Sequence, residues 1–429
     1  MSRIYLFFSV WLFSFSLHAE YRTPLYSHAA IETSGGLTLD NAIGLALLSN
    51  PEISVAMRER EAVEGVQVQA AVRPNPSVST FMEDTRNATR QTTLQLNQPF
   101  ELGDKRARRI EAAEKLYDAA TADIDQVRAA TRAAVISAFY EVMASQERLE
   151  LARSTLDLAQ RATDAAYKRV RAGKVSPVEE TKARVAEAGV KVELNQAVSQ
   201  LNTTRKRLAA LWGNPAPRFE RVLGQLEALP AMADMEELSA RMGNAPALKR
   251  ARLEIDRREA LAKLEGSKRT PDLTVSVGAR RNEELGLNQA VLGLSIPIPV
   301  FDRNQGNRQE ALSRTDKARD ELVALQVQQV NSLAGAHERF LAARQEADAL
   351  QADVLPGAQS AYDAAVKGFE FGKFGFLDVL DAQRTLFQAR SQYLNALLKA
   401  HQANAEIERL VGDASTSGNA ATALAQHQE

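Results

Sequence analysis

Apolar residues follow a helical period over most of this chain and a period of two in short windows. Between Asp104 and Ala172 there is neither Pro nor Gly, and Ala107, Ile110, Ala113, Leu116, Ala120, Ile124 and Val127 form a narrow stripe of small apolar positions. A stretch rich in Ala, Glu, Gln, Arg and Leu predicts one helix of about 68 residues, a rod of roughly 100 Å. Such a rod must be packed along its length, and a seam of small residues suits close side-by-side packing. Two helices of about half that length are expected at Thr38 to Val72, opened by a Thr-Leu-Asp cap signal, and at Pro177 to Trp212, with Gly213 just past the end. Placed end to end, they match the long helix and can lie alongside it.

Between these helices the period changes to two. Pro76 to Thr85 and Arg90 to Phe100 read as strands joined by a polar loop, and in the second Thr92, Leu94 and Leu96 alternate with Gln91, Thr93, Gln95 and Asn97. One face is apolar and the other is amide and hydroxyl. Two environments fit: a soluble sandwich with the apolar face in its core, or membrane strands with lipid outside and a wet lumen inside.

The whole pattern then recurs. Leu96 to Lys105 (LNQPFELGDK) aligns with Leu294 to Arg303 (LSIPIPVFDR) at a shift of 297 − 99 = 198, and Gly173-Lys174 aligns with Gly372-Lys373 at 199. A near-constant shift across unrelated local motifs marks a tandem repeat. The second copy predicts a short helix (Met235 to Lys268), strands (Pro271 to Arg280; Leu287 to Ile298, with Ala290, Leu292, Leu294 and Ile296 on one face), a long helix (Asp302 to Glu370) and a return helix (Leu377 to Leu410). Pro356, whose counterpart is Asp157, is expected to bend the second long helix only. Four strands cannot close a barrel. Membrane strands would therefore require oligomerisation: two copies supply eight strands and three supply twelve, and only the larger number leaves a lumen wide enough for solutes.

The ends and the composition narrow the class. Met1-Ser2-Arg3 followed by the fourteen-residue uncharged, mostly apolar stretch Ile4 to Leu17 reads as a secretory signal peptide over 1–19. The expected organisation is then an N-terminal extension (20–36), a first repeat (37–213), a linker (214–234), a second repeat (235–412) and a flexible tail (413–429). There are 53 Lys plus Arg against 54 Asp plus Glu, a balance that argues against nucleic acid as a partner. Cys is absent, which excludes disulfides, thiolate metal sites and Cys nucleophiles. Outside the signal segment no run of about 18 apolar residues exists to span a bilayer as a helix. The five His, at 18, 28, 337, 401 and 427, show no ligand spacing, and His337 and His401 read as helix-surface residues. No catalytic motif is present, so no enzyme activity and no cofactor are expected. An exported coiled-coil scaffold, or a periplasmic adaptor with long hairpins, is the rival to a channel.

Three segments carry a resemblance: Gln98 to Lys105 (QPFELGDK), Ile298 to Gly306 (IPVFDRNQG) and Leu377 to Gln383 (LDVLDAQ). With the repeat pattern from Leu37 to Gly412, the chain resembles the TolC-like outer membrane efflux channels, and among them the heavy-metal (cobalt-zinc-cadmium, CzcC-like) branch. The resemblance implies a mainly α fold with a small β part: a homotrimer with a helical tunnel through the periplasm, topped by a twelve-stranded barrel in outer membrane lipid. It also implies docking to a periplasmic adaptor (membrane fusion) protein and an inner-membrane pump of the resistance-nodulation-division (RND) type. The cargo would be divalent heavy-metal cations, with drug or other small-molecule efflux as the alternative. By the same resemblance, Gly173, Lys174, Val175 and Ser176 with Gly372, Lys373, Phe374 and Gly375 are the adaptor-contacting tips. Asp378 and Asp381, at i and i+3 on one helix face, match the acidic residues of the channel constriction; by spacing alone they read equally as helix-dipole caps. Some members latch the closed state through a basic residue in the second tip. Here that position is Phe374, so no such latch is expected.

Overall fold

In the computed structural model, Glu32 and residues 35–412 are described. The signal segment (1–19), most of the extension (20–36) and the tail (413–429) fall outside the described residues. A short strand β1 (Gly36–Thr38) leads into α1 (Leu39–Ser49) and α2 (Pro51–Ala70), then β2 (Ser77–Glu83), β3 (Gln91–Phe100), α3 (Lys105–Arg171) and α4 (Pro177–Ala210). After β4 (Arg221–Leu223) the order repeats: α5 (Met235–Met242), α6 (Pro246–Ser267), β5 (Leu273–Asn282), β6 (Leu287–Ser295), α7 (Gln305–Ala349), α8 (Leu355–Glu370) and α9 (Phe376–Val411).

The leading helix of each half is broken where one continuous helix was expected. At Asn50 the backbone is extended; its side chain caps α2 by accepting from the amides of Glu52 (2.8 Å) and Ile53 (3.1 Å). Proline supplies the first residue of both α2 and α6. A proline there needs no amide partner but restricts the residue before it to extended geometry, which ends the preceding helix. Asn50 also donates through Nδ2 to the Leu211 carbonyl (2.8 Å), tying this break to the end of α4.

The uninterrupted α3 is the spine. It packs against α2 and α4 along its length, and against α6 and α9 of the second half. Of the expected seam, Ala113, Ala120 and Ile124 are buried, Ile110, Leu116 and Val127 half-buried, and Ala107 exposed. At its sheet end Arg109 pairs with Glu101 (2.6 Å) and donates to the Ala70 and Val72 carbonyls (3.0 Å each), gathering the end of α2 and the exit from β3 onto one guanidinium. Both long helices begin from left-handed residues, Asp104 (φ 59) and Asn304 (φ 58), residue types that tolerate this conformation. Asp104 therefore corresponds to Asn304, a shift of 304 − 104 = 200, rather than to Asp302 as the sequence alignment has it.

The second long helix is not one α-helix. A π-helical turn, Leu350–Val354, separates α7 from α8, and Pro356 sits in the first turn of α8. Proline cannot donate to the carbonyl four residues back, and a wider turn takes up the lost register. The irregularity thus lies one turn before the proline, while α3 runs straight through Asp157.

The strands form one antiparallel sheet ordered β2-β3-β5-β6, so the halves meet through β3 and β5. In register across it lie Val78, Leu96, Val277 and Leu292, exposed by 70, 50, 53 and 80%. The opposite face carries the polar network: Asn97 donates to Ser79 Oγ (2.9 Å) and accepts from Ser276 Oγ (2.7 Å). In a soluble sandwich the apolar face would be the buried one. In the single chain it is bare, as membrane strands require.

At mid-length, β1 pairs in parallel with β4, and Phe139, Phe219, Leu226 and Leu397 fill a core under the linker. Replacing Asn50 by Ala removes a cap and strands the Leu211 carbonyl, and should cost about 2 kcal/mol in chemical unfolding of the detergent-solubilised protein. Asn50→Ser keeps a capping acceptor and loses only the donor, so its loss should be smaller.

Candidate functional site: the hairpin tips

The end of the molecule furthest from the sheet consists of two helix reversals. Each long helix stops at a glycine with positive φ, Gly173 (+70) and Gly372 (+73). The following amide reaches back across the last turn, Lys174 to the Arg169 carbonyl (2.9 Å) and Lys373 to the Gly368 carbonyl (2.8 Å). This closure is available to glycine without a Cβ penalty. Ser176 caps α4 by accepting from the Val178 amide (3.3 Å). In the second tip the Phe374 ring lies directly on Gly368, where an added Cβ would come within 2.1 Å of it.

The two tips are joined by a residue that sequence reasoning passed over. Arg169 donates to the Phe369 carbonyl (3.0 Å), and its guanidinium stands 4.5 Å from the Phe369 ring centroid. Beneath it Ala166, Ala183, Phe369, Phe376 and Val379 form a small core. A cleft of about 260 Å³ opens beside Arg169, Phe374 and Asp378. The only sequence signal for Arg169 was its place in the last turn of α3, where a cation also suits the helix dipole.

Asp378 and Asp381 both reach solvent on the first turns of α9. Asp378 accepts from the Gly375 amide through Oδ2 (2.8 Å), the half of a capping box that a glycine N-cap allows, so it does act as a cap. Asp381 makes no such local bond; it leaves its carboxylate free for solvent on the same helix. Gln383, the last residue of the third resembling segment, is buried and donates to the Thr155 carbonyl (3.2 Å), locking α9 to α3.

Among the described residues no group of His, Asp or Glu is placed to hold a metal ion. His337 is half-buried, but His401 is not the surface residue its position on a helix suggested: it is 2% exposed. It contacts the Leu226 carbonyl through Nε2 (2.8 Å) and stacks on Tyr140 with centroids 3.5 Å apart. The linker, folded over α9, creates that burial, and no helical period could reveal it.

Two segments, residues 42–214 and 238–413, match the family described as outer membrane efflux protein. The chain belongs to that family. It is 47% identical over 381 residues to the cobalt-zinc-cadmium resistance protein CzcC of Cupriavidus metallidurans, covering 89% of this chain and 91% of the relative. It is 29% identical over 288 residues to the nickel-cobalt-cadmium resistance protein NccC of Alcaligenes xylosoxydans, covering 65% of this chain and 64% of that one. Its fold matches a crystal structure of CusC, with a TM-score of 0.73 at 18% identity over 87% of this chain and 92% of that chain. Membership places the chain in the bacterial outer membrane, among channel proteins rather than enzymes. No described helix is long and apolar enough to cross a membrane, so the sheet is the part whose bare apolar face meets lipid. The scaffold and adaptor alternatives fall with that sheet and with the family match.

Two outcomes follow from this geometry. Arg169→Ala removes the only bond described between the two tips together with the ring contact, and should speed amide exchange over residues 368–374 about ten-fold. Burial pushes the His401 imidazole down from its usual value, against the opposing effect of the Leu226 carbonyl. A depressed folded-state value gives stability that is present above about pH 6.5 and lost as pH falls through the folded value. Thermal midpoints between pH 7 and 5 should therefore fall less steeply for His401→Gln than for the wild type.

Proposed function

We propose that three copies of this chain close into a twelve-stranded barrel and a continuous helical tunnel. The assembly is the outer membrane exit duct of a tripartite system, fed by an RND pump through a periplasmic adaptor, and its cargo is divalent cobalt, zinc or cadmium. Closure is demanded by the sheet: β2 and β6 have unpaired outer edges among the described residues, and hydrocarbon offers no partner for their backbone groups. Four strands from each of three copies remove every edge. The cargo rests on a single observation, the 47% identity to a cobalt-zinc-cadmium resistance protein across nearly the whole chain.

In this assembly the tips Gly173 to Ser176 and Gly372 to Gly375 meet the adaptor. Their turns are exposed and carry Lys174, Lys373 and the half-exposed Phe374 ring. Asp378 and Asp381 from three subunits place six carboxylates around one axis, a ring that concentrates cations and repels anions. Capping and ring formation are compatible for Asp378, because one oxygen satisfies the Gly375 amide while the net charge remains.

Deleting the gene in cells that keep the pump and adaptor should raise retained cobalt, zinc and cadmium, and restoring it should reverse this. Retention confined to organic compounds would replace the metal cargo with a small-molecule one. The double variant Asp378→Asn, Asp381→Asn retains a capping acceptor and removes the charge. It should form normal trimers whose pores in planar bilayers show lower cation selectivity and weaker divalent block. Selectivity and block equal to the wild type would place the constriction elsewhere.

A further inference from the structure

The polar face of the sheet is almost free of charge. Its rows through Asn97 and Gln95 hold only hydroxyl, amide, glycine and aliphatic positions. One row nearer the hairpin loops stands Arg280, opposite Thr93 on β3. Its guanidinium donates to Thr93 Oγ1 (3.1 Å) and Gln91 Oε1 (3.4 Å), both on the polar face and both neutral. Among the described residues no carboxylate pairs with it.

Of the acids around the loops, Asp84 and Glu283 are engaged, while Glu284 stands exposed in the β5–β6 loop, beyond the strand rows, with no ion pair described. Asp84, in the β2–β3 loop, accepts from Arg86 (2.8 Å) and from Thr89 Oγ1 (2.6 Å), and these bonds hold its carboxyl well below the usual range. Glu283 pairs with Arg281 at 3.5 Å. Glu83 is the remaining polar-face carboxylate, one row above Arg280 and two strands away. Strands lie about 4.8 Å apart, so the two charges are separated by roughly 10 Å or more, beyond the Debye length of about 8 Å in physiological salt.

We propose that Arg280, repeated three times by the assembly, forms a positive band inside the barrel near its outer mouth, which opposes cations entering from outside and sets ion selectivity in series with the acidic tips. This rests on the trimeric channel proposed above. Twelve strands tilted by about 40° give a wall roughly 12 Å from the axis. An arginine carries its charge several Å inward from that wall, so three of them act across the whole lumen at physiological ionic strength. The band lies where solute leaves the duct, at the opposite end from the carboxylates. A cation crosses the same barrier in either direction, but outward it is driven by the pump and inward it has no such drive; anions are drawn into the mouth as counter-charge.

The test is the reversal potential of purified channels in planar bilayers under a KCl gradient. Arg280→Gln should raise the cation-to-anion permeability ratio about two- to four-fold near 0.15 M salt, with the gain shrinking toward 1 M. Arg280→Lys keeps the charge and should keep wild-type selectivity. Arg281→Gln changes the neighbouring residue, which faces the other side of the sheet, and should leave the ratio unchanged. A ratio unaltered by Arg280→Gln, or altered equally by Arg281→Gln, overturns the inference while leaving the channel intact. A wild-type chain that forms no pore overturns the channel itself.

Discussion

A sheet with its apolar face bare and both edges unpaired among the described residues imposes the main constraint on this molecule. In water the row Val78, Leu96, Val277 and Leu292 would be an exposed patch beside open edges, the combination that drives aggregation. In lipid the patch is solvated, but the edges become intolerable. One monomer cannot meet both demands; a closed ring of copies in a bilayer can. The helices would inherit that ring, because α3 follows β3 and α7 follows β6, two strands of the same sheet with β5 between them.

The passage from sheet to helix is made by a few residues with little freedom. Asp104 and Asn304 turn the chain in left-handed geometry, and Arg109 gathers the end of α2 and Glu101 onto the first turns of α3. Away from this joint the halves diverge. The first keeps an unbroken α3, while the second takes a π-helical turn before Pro356. Two hairpins of equal length but unequal regularity therefore converge at the tips, where Arg169 and the Phe369 ring hold them together.

At the tips, the proposed acidic ring would draw on groups that also serve the fold. Basic residues close the last turn of α3 and acidic ones open α4 and α9, as helix dipoles favour. Asp378 shows how a local cap and a long-range field coexist, since a hydrogen bond to one amide does not cancel a carboxylate's charge.

Long helices, the strand pairs, the repeat and the glycine stops were legible in the sequence, because each follows from local period and from proline and glycine chemistry. So were Asp378 and Asp381 as residues sharing one helix face. The breaks at Asn50 and before Pro246 were missed because helical period continues across them, and only the geometry forced on the residue before proline interrupts it. The correspondence of Asp104 with Asn304 was missed because similar letters aligned two residues earlier than the equivalent backbone. Which side of the alternating strands is bare, the burial of His401 beneath the linker, and the bridge from Arg169 to Phe369 were decided by tertiary structure alone. Each depends on segments far apart in the chain, and a one-dimensional pattern specifies which residues share a face but not what that face meets.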